Sequence, residues 1–124
     1  MEVTAKEPGA WPWPDSLDAV VAAPGSHRVV LENETTRVLE VTIAPGAREP
    51  EHTHRWPSVM VVHQPARIRY YTGATLTFTS PEQLTAAAQG PRVSWLDPEG
   101  PHSVENIDGH AYEAFRIELK QLDH

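Results

Sequence analysis

The chain contains the stretch Pro45-Gly46-Ala47-Arg48-Glu49-Pro50-Glu51-His52-Thr53-His54. Side chains alternate along a strand, so in an extended segment His52 and His54 point to the same face. Both imidazoles can then reach one point in space. A second stretch, Pro98-Glu99-Gly100-Pro101-His102-Ser103-Val104-Glu105-Asn106, offers a third histidine at the end of a tight turn. We interpret His52, His54 and His102 as three ligands of one metal ion.

The spacing within these two stretches resembles the paired motifs of the cupin family. The first motif there is a Gly, five residues, His-x-His, three or four residues, a Glu and then a Gly. Here Gly46 lies five residues before His52. The second motif is Pro-x-Gly, usually two residues, His, three residues and Asn. Its counterparts in this chain are Pro98, Gly100, His102 and Asn106. The resemblance covers residues 27 to 120 and implies a small antiparallel jelly-roll β-barrel.

The first motif departs from the family pattern at its carboxylate. The family's Glu falls at Ser58 or Val59, neither of which can replace it, and the later Gly falls near Pro65 or Ala66. The resemblance therefore carries over for the three histidines and gives no fourth protein ligand. Losing the carboxylate leaves the site one unit more positive, which favours an anionic or enolate-type ligand. Imidazole ligands without known geometry suit one divalent transition metal, Fe, Zn, Ni, Cu or Mn.

Length and composition limit the class of protein. At 124 residues the chain predicts a single domain with a real core. The absence of Cys excludes disulfides and thiolate metal sites. A net charge of -7 argues against nucleic acid or a membrane surface as the partner. The sequence shows no signal peptide and no twenty-residue apolar run, so we expect a cytoplasmic protein with a small-molecule ligand or substrate.

The first 26 residues predict an arm and a short helix, and residues 27–124 the barrel domain. Asp15 or Ser16 is expected to cap the helix, which ends at Pro24-Gly25. The alternatives for Trp11 and Trp13 are a mobile tail, docking on the barrel, or docking on a second subunit. Sheet edges in a jelly roll this small need cover. We therefore expect a homodimer in which the arm crosses to, or pads, a neighbouring subunit.

Period-two patterns separated by turns predict an all-β fold from residue 28 onward. Between them, a capping box and a final Gly predict one helix over residues 80–90. The strands are expected at 29–34, 36–43, 48–54, 57–64, 66–72, 75–79, 93–97, 103–107 and 112–119.

Alternation in the last strand predicts which side chains enter the barrel. Phe115, Ile117 and Leu119 form the apolar set, so we expect them inside, together with Glu113 near the start of the strand. Glu113 is then either a carboxylate at the rim or an acid lining the pocket, a candidate general base. His63 is expected in the core or at an interface. The remaining histidines are expected at the surface: His27, His110 and His124.

Three aromatic residues lie near the motif strands and are candidates for an apolar substrate pocket: Trp56, Tyr70 and Trp95. The alternative for each is ordinary core packing. Two functions remain open at this point. One is a metal-dependent dioxygenase, isomerase or cyclase acting on a small organic acid or an enolisable or phenolic compound. The other is a non-catalytic cupin that binds or senses a small molecule.

Overall fold

The structure is a computed structural model that describes residues 11–81 and 92–120. It contains nine strands in the described ranges, close to those expected from the sequence. They are β1 (His27–Glu32), β2 (Thr36–Ile43), β3 (His52–His54), β4 (Ser58–Gln64), β5 (Ile68–Thr72), β6 (Thr75–Thr79), β7 (Arg92–Leu96), β8 (Glu99–Asn106) and β9 (Tyr112–Leu119). The helix expected over residues 80–90 lies largely outside the described residues.

The strands form two antiparallel sheets. One has five strands in the order β1-β2-β9-β4-β7, and the other has four in the order β3-β8-β5-β6. Neighbours in each sheet are mostly distant in sequence, as in a jelly roll. The expected all-β, antiparallel jelly-roll fold is confirmed.

The N-terminal segment packs on its own barrel. A 3₁₀ turn (Asp15–Leu17) precedes the short helix α1 (Ala19–Ala22). Asp18 caps α1 by accepting a hydrogen bond from the Val20 N–H, so the expected cap at Asp15 or Ser16 is wrong. Trp13 packs against Gly100, where an added Cβ would meet the indole at 3.2 Å. The described part of the arm thus docks within the chain.

The two sequence motifs meet at one turn of the barrel. Gly46, with φ of +77°, makes a turn that suits glycine, and its N–H donates to the Asn106 carbonyl. The Asn106 side chain is fully buried and donates to the carbonyls of Ile43 and His110. Its own oxygen accepts from the Asp108 N–H. The motif asparagine therefore fixes the β8–β9 hairpin and belongs to the scaffold.

The apolar core lies under β2, whose alternation matches the sequence expectation. Leu39, Val41 and Ile43 are buried, and together with Ala19 and Ala114 they form the core cluster. The opposite residues of β9 share this inner face, because antiparallel partners point to the same side of a sheet.

The expected alternation of β9 is wrong. Its buried positions are Ala114, Arg116 and Glu118, while Phe115 and Ile117 face outward. Glu113 also lies on the outer face, 3.9 Å from His63, with 40% of its side chain exposed. The expectation failed because it assumed that the more apolar face is the inner one. Here the inner charges are hydrogen-bonded to partners from other strands, which removes most of the cost of burying them.

No helix in residues 11–81 and 92–120 is long and apolar enough to cross a membrane.

Candidate metal centre

The structure brings the three predicted histidines together. His52 and His54 lie on β3, and His102 lies on β8 directly opposite His52. The ring centroid of His52 is 5.1 Å from that of His54 and 4.5 Å from that of His102, and His54 and His102 are 5.5 Å apart. All three side chains are buried. One short strand and its ladder partner therefore bring three imidazoles into contact.

A fourth histidine completes the cluster, and sequence analysis missed it. His27 was expected at the surface, but it is buried at the start of β1. Its ring centroid is 4.6 Å from His52 and 5.2 Å from His54. The pairing of β1 with β2 sets His27 opposite Val41, whose side chain points inward. No local pattern in the sequence indicates this register, so only the assembled sheet shows it.

Every imidazole in this cluster has its Nδ1 within hydrogen-bond distance of a fixed oxygen. A carbonyl can only accept, and Glu118 already accepts from Arg37, so we assign the proton to Nδ1, which leaves the Nε2 lone pair free to bind a metal. Such outer partners fix the tautomer and the orientation of metal-binding histidines. The Nδ1···O pairs are His52 with Pro50 O (2.8 Å), His102 with Gly100 O (2.8 Å), His27 with Ala23 O (3.2 Å) and His54 with Glu118 Oε2 (3.2 Å).

The possible ligand atoms converge in two groups that share His54. Those of His27, His52 and His54 all lie within 4.8 Å of one another. Those of His54, Glu99 and His102 form a second group with the same spacing. Glu99 is the variable residue of the Pro98-Glu99-Gly100 turn and was not expected at the site. The structure thus supplies candidate ligands beyond the expected three histidines.

Burial keeps these histidines neutral. Burial, together with His52, lowers the pKa of His27 to about 3. Burial, together with His102, lowers the pKa of His52 to about 4. The pKa values of His54 and His102 are also lowered, chiefly by burial. Neutral imidazole is the form that binds metals, so the cluster can bind an ion near neutral pH without first losing protons. The residues present therefore fit a transition metal.

Glu49 is a second buried carboxylate beside the cluster. Its Oε2 accepts from the Ser26 hydroxyl at 2.7 Å, and its Oε1 lies 3.2 Å from the Val104 nitrogen. Burial raises the pKa of Glu49 to about 7, against the lowering effect of those two hydrogen bonds. Glu49 Oε1 is 3.9 Å from His52 Nε2. Its position three residues before His52 gives no recognisable signal in the sequence.

The structure also shows what stands where the family pattern has its carboxylate. Of the two candidate positions, Ser58 is fully buried and points inward, whereas Val59 pairs with Ile117 and Trp95 on the outer face. The Ser58 hydroxyl accepts from Nε of Arg116 at 3.1 Å. A guanidinium therefore lies next to the position at which the family pattern has a negative charge.

The histidines line a cavity of about 260 Å³ between the two sheets. Its polar end contains the four histidines, Glu49, Glu99 and Arg116, and the remainder is mainly apolar. The apolar wall consists of Val41, Ile43, Met60, Val62, Ile68, Leu96 and Val104, and Tyr112, Ser94 and the exposed Arg92 complete the lining. The cavity is slightly smaller than the range of about 300–1,000 Å³ typical of pockets for drug-sized ligands.

Of the three aromatic residues proposed for the pocket, the structure places Tyr70 in it. Tyr70 lines the cavity, stacks on His102 with ring centroids 5.1 Å apart, and donates its hydroxyl to Glu99 at 2.8 Å. Trp56 lies elsewhere, under the Arg37 guanidinium at 5.0 Å. Trp95 is 52% exposed on the outer face of β7. The candidate general base Glu113 is likewise on the outer face and does not line the cavity.

Comparison with known proteins identifies the fold. A cupin domain from Bordetella pertussis Tohama I aligns with a TM-score of 0.62 and 24% identity over 76% of this chain and 91% of that one. A cupin family protein with a double-stranded β-helix fold from Methanocaldococcus jannaschii gives 0.54 and 12% over 76% and 78%. A Cupin 2 conserved barrel domain protein from Salinispora arenicola CNS-205 gives 0.50 and 15% over 78% and 76%.

These likenesses show that the chain has the cupin fold. They confirm, at the level of fold, the resemblance drawn from the two histidine motifs. No protein-family model and no curated protein matches the sequence. The assignment of the fold therefore rests on the structure and on the two short motifs. Any assignment of activity depends on the geometry of the site.

Proposed function

We propose that this protein is a metal-dependent enzyme that acts on a small organic acid or a related enolisable compound. The observation that carries the proposal is the set of four buried histidines with Nδ1 at a fixed oxygen and Nε2 left free. The ligands would be drawn from His27, His52, His54, His102 and Glu99. The metal would supply Lewis-acid or redox chemistry to a bound substrate.

The surrounding residues would prepare the substrate. The apolar wall excludes water from the body of the ligand, and Arg116 and Tyr70 border its polar end. Glu49 lies in the same cavity, beside His52, and is better placed than Glu113 to exchange a proton with the substrate. The reaction type remains one of the three proposed from the sequence: dioxygenation, isomerisation or cyclisation.

One observation favours the second candidate, a non-catalytic binding or sensing module. The inward position that carries a carboxylate in the family pattern is Ser58, so the ligand set differs from that pattern. Incubating the metal-loaded protein with panels of small carboxylic acids, enols and phenols distinguishes the two. Chemical conversion supports the enzyme, whereas saturable binding without conversion supports the module.

Elemental analysis of untagged protein tests the metal site itself. We expect up to one transition-metal ion per chain in the wild type and none in the His54→Ala variant, because His54 belongs to both ligand groups. His110→Ala is the matched control, since His110 is half-exposed and away from the cavity. Full metal retention in a His52, His54 and His102 triple alanine variant contradicts the proposal.

The same chain also presents a surface suited to a second copy of itself, and we propose a homodimer through it. The outer face of the five-stranded sheet carries the exposed Leu31, Val93 and Trp95. Val59, Val61, Phe115 and Ile117 join them across β4 and β9. A flat apolar patch can pair with itself about a two-fold axis, and a standard interface needs about 800 Å² from each partner.

Light scattering on three variants tests this interface. Trp95→Ser is expected to shift the dimer to monomer, whereas Phe78→Ser, which changes an equally exposed aromatic residue on β6, leaves it intact. A chain beginning at Asp15 tests the arm, and it should stay dimeric because Trp13 docks on its own barrel. A monomeric wild type rules the dimer out, and a monomeric Asp15 chain reassigns the interface to the arm.

A further inference from the structure

Arg116 is the one cationic side chain of the polar end whose hydrogen bonds are incomplete in the described residues. It lies on β9 and is 3% exposed. Its Nε donates to Ser58 and its Nη1 donates to Glu99 at 2.7 Å, but its buried Nη2 has no hydrogen-bond partner. A buried donor without an acceptor loses its hydration and gains nothing in return, which is rare in folded proteins.

A second arginine on the same inner face shows that this fold can satisfy a buried guanidinium. Arg37 lies on β2 and is 6% exposed. Its Nε donates to Glu118, and Nη1 and Nη2 donate to the two oxygens of Asp18 at 2.9 and 3.0 Å. Arg37 does not line the histidine cavity, whereas Arg116 does. Of these two arginines, the incomplete one is thus the one beside the candidate metal centre; the Nε of Arg55 is also unpartnered, but Arg55 does not line the cavity.

The position of Arg116 fits a role in binding anions. Its guanidinium contributes to the lowered pKa of all four buried histidines, after the larger effect of burial. Its positive charge therefore reaches the whole polar end of the cavity. Glu99 is its only carboxylate partner within 4.0 Å among the described residues, and the other oxygen of Glu99 accepts from Tyr70. A guanidinium commonly binds two acceptors at once, and a carboxylate is the acceptor it matches best.

The rest of the cavity restricts the body of the ligand. Beyond its polar end the wall is mainly aliphatic, with Val41, Ile43, Met60 and Val62 facing Ile68 and Val104 across the barrel. The polar residues of this part are Tyr112 and, on β7, Ser94 and the exposed Arg92. A volume of about 260 Å³ admits a small organic acid and excludes a much larger ligand. A phosphate ester or a sugar acid would leave its polar groups unpaired against this wall.

We propose that Arg116 is the anion-binding residue of this cavity and that its Nη2 binds the carboxylate of a small monocarboxylic acid with a branched or short apolar body. This proposal deepens the proposed function by naming the substrate class. It rests on the proposed function only for the claim that the bound acid is then converted. Recognition of the acid by Arg116 does not require the metal.

Calorimetric titration of metal-free protein, prepared with a chelator, tests the proposal with two probes of equal size. Isobutyrate carries the charge, and isobutyramide does not. We expect isobutyrate to bind at least about tenfold more tightly than isobutyramide. In Arg116→Gln the preference for isobutyrate over isobutyramide is expected to fall below about twofold. In Arg116→Lys the affinity for isobutyrate should fall by about three- to fivefold, because lysine keeps the positive charge but lacks the paired N–H donors of the guanidinium. Arg37→Lys is the matched control and should keep wild-type affinity.

Repeating the titration with zinc-loaded protein separates the two proposals. Isobutyrate binding that depends on Arg116, in protein that retains no zinc after loading, supports the role of Arg116 and contradicts the metal site. Isobutyrate binding that needs zinc and is unchanged in Arg116→Lys and Arg116→Gln overturns the role of Arg116 while the metal site stands. Equal binding of the two probes by folded wild type, or no binding of either, also overturns it. Thermal unfolding checks that each variant is folded, and Arg116→Lys decides the outcome if Arg116→Gln does not fold.

Discussion

The two faces of the five-stranded sheet depart from the usual pattern, because buried charges share the inner face with the apolar core and large apolar side chains lie exposed on the outer face. Its inner face holds Arg37, Arg116 and Glu118, all nearly inaccessible to solvent. Its outer face holds Val93 and Trp95, which are 71% and 52% exposed. In an ordinary antiparallel sheet the apolar face is buried and the polar face is solvated. The departure occurs even within β9, where Glu118 is buried and Ile117, its neighbour, faces outward.

The inner charges are stable there because they bind one another across strands. Burial works to lower the pKa of Arg37, but its hydrogen bonds to Asp18 and Glu118 outweigh that effect and raise the pKa above its usual value. Glu118 in turn orients His54, and Glu99 joins Arg116 to Tyr70. Part of the inner face is thus a polar network that borders the cavity and lies beside the apolar core. The outer face has separate exposed pairs, such as Arg28–Glu40 and His63–Glu113, beside its apolar side chains.

Breaking the inner network should have the largest effect. The Glu118→Gln substitution removes the negative charge beside Arg37 Nε and His54 Nδ1. An amide has one accepting oxygen, so one of these two groups then faces an NH₂ group. We expect a loss of about 3 kcal/mol in the free energy of unfolding, as for one partner of a buried ion pair. Glu113→Gln on the outer face of the same strand should change it by less than about 0.5 kcal/mol. Urea unfolding measures both, and equal losses would show that the two faces do not differ.

The pH dependence of stability should depend on the buried histidines. The pKa of His27 is lowered from 6.5 to about 3 in the folded protein, so between these values the unfolded chain binds a proton that the folded chain does not. Stability therefore falls as the pH drops below 6.5. One such group contributes a slope of up to about 1.4 kcal/mol per pH unit. His27→Gln should flatten the slope of the metal-free protein between pH 5.5 and 4.5.

Two features make this measurement specific. Glu49, whose pKa is raised to about 7, contributes a slope of the opposite sign between pH 4.5 and 7; because its Oε2 lies 3.6 Å from His27 Nδ1, both proteins are compared in a Glu49→Gln background. His110→Gln, which changes a half-exposed ring, is the control and should leave the slope unchanged. A His27→Gln protein with the wild-type slope would show that His27 is solvated in solution.

A smaller effect should separate the two candidate positions for the missing carboxylate. Ser58→Glu places a carboxylate inside, beside Arg116, and Val59→Glu places one on the outer face. We expect Ser58→Glu to tighten metal binding by about five- to tenfold, roughly 1 kcal/mol, and to weaken isobutyrate binding because it competes for the same guanidinium. Val59→Glu should leave metal affinity unchanged. Competition titration with a chromophoric chelator measures both, and a gain in Val59→Glu alone would reverse the assignment of faces.

Local patterns in the sequence predicted much of the scaffold. Turn residues and period-two alternation located the strands, and the alternation of β2 was confirmed by the burial of Leu39, Val41 and Ile43. The His-x-His spacing placed His52 and His54 on one face. The same reasoning failed on β9, because it ranked the faces by polarity and could not include partners such as Glu99 and Ser58 from other strands.

The sequence by itself therefore determined an all-β fold and placed His52 and His54 on one face, since turns and side-chain alternation are properties of short segments. The resemblance of the two motifs to the cupin family implied the jelly roll and the third histidine, His102. Only the tertiary structure decided that His27 and Glu49 join the site, that Arg116 faces inward and that Trp95 and Glu113 face outward. These depend on strand register, and a shift of one residue reverses every side chain. That register follows from pairing between segments as far apart in sequence as β2 and β9.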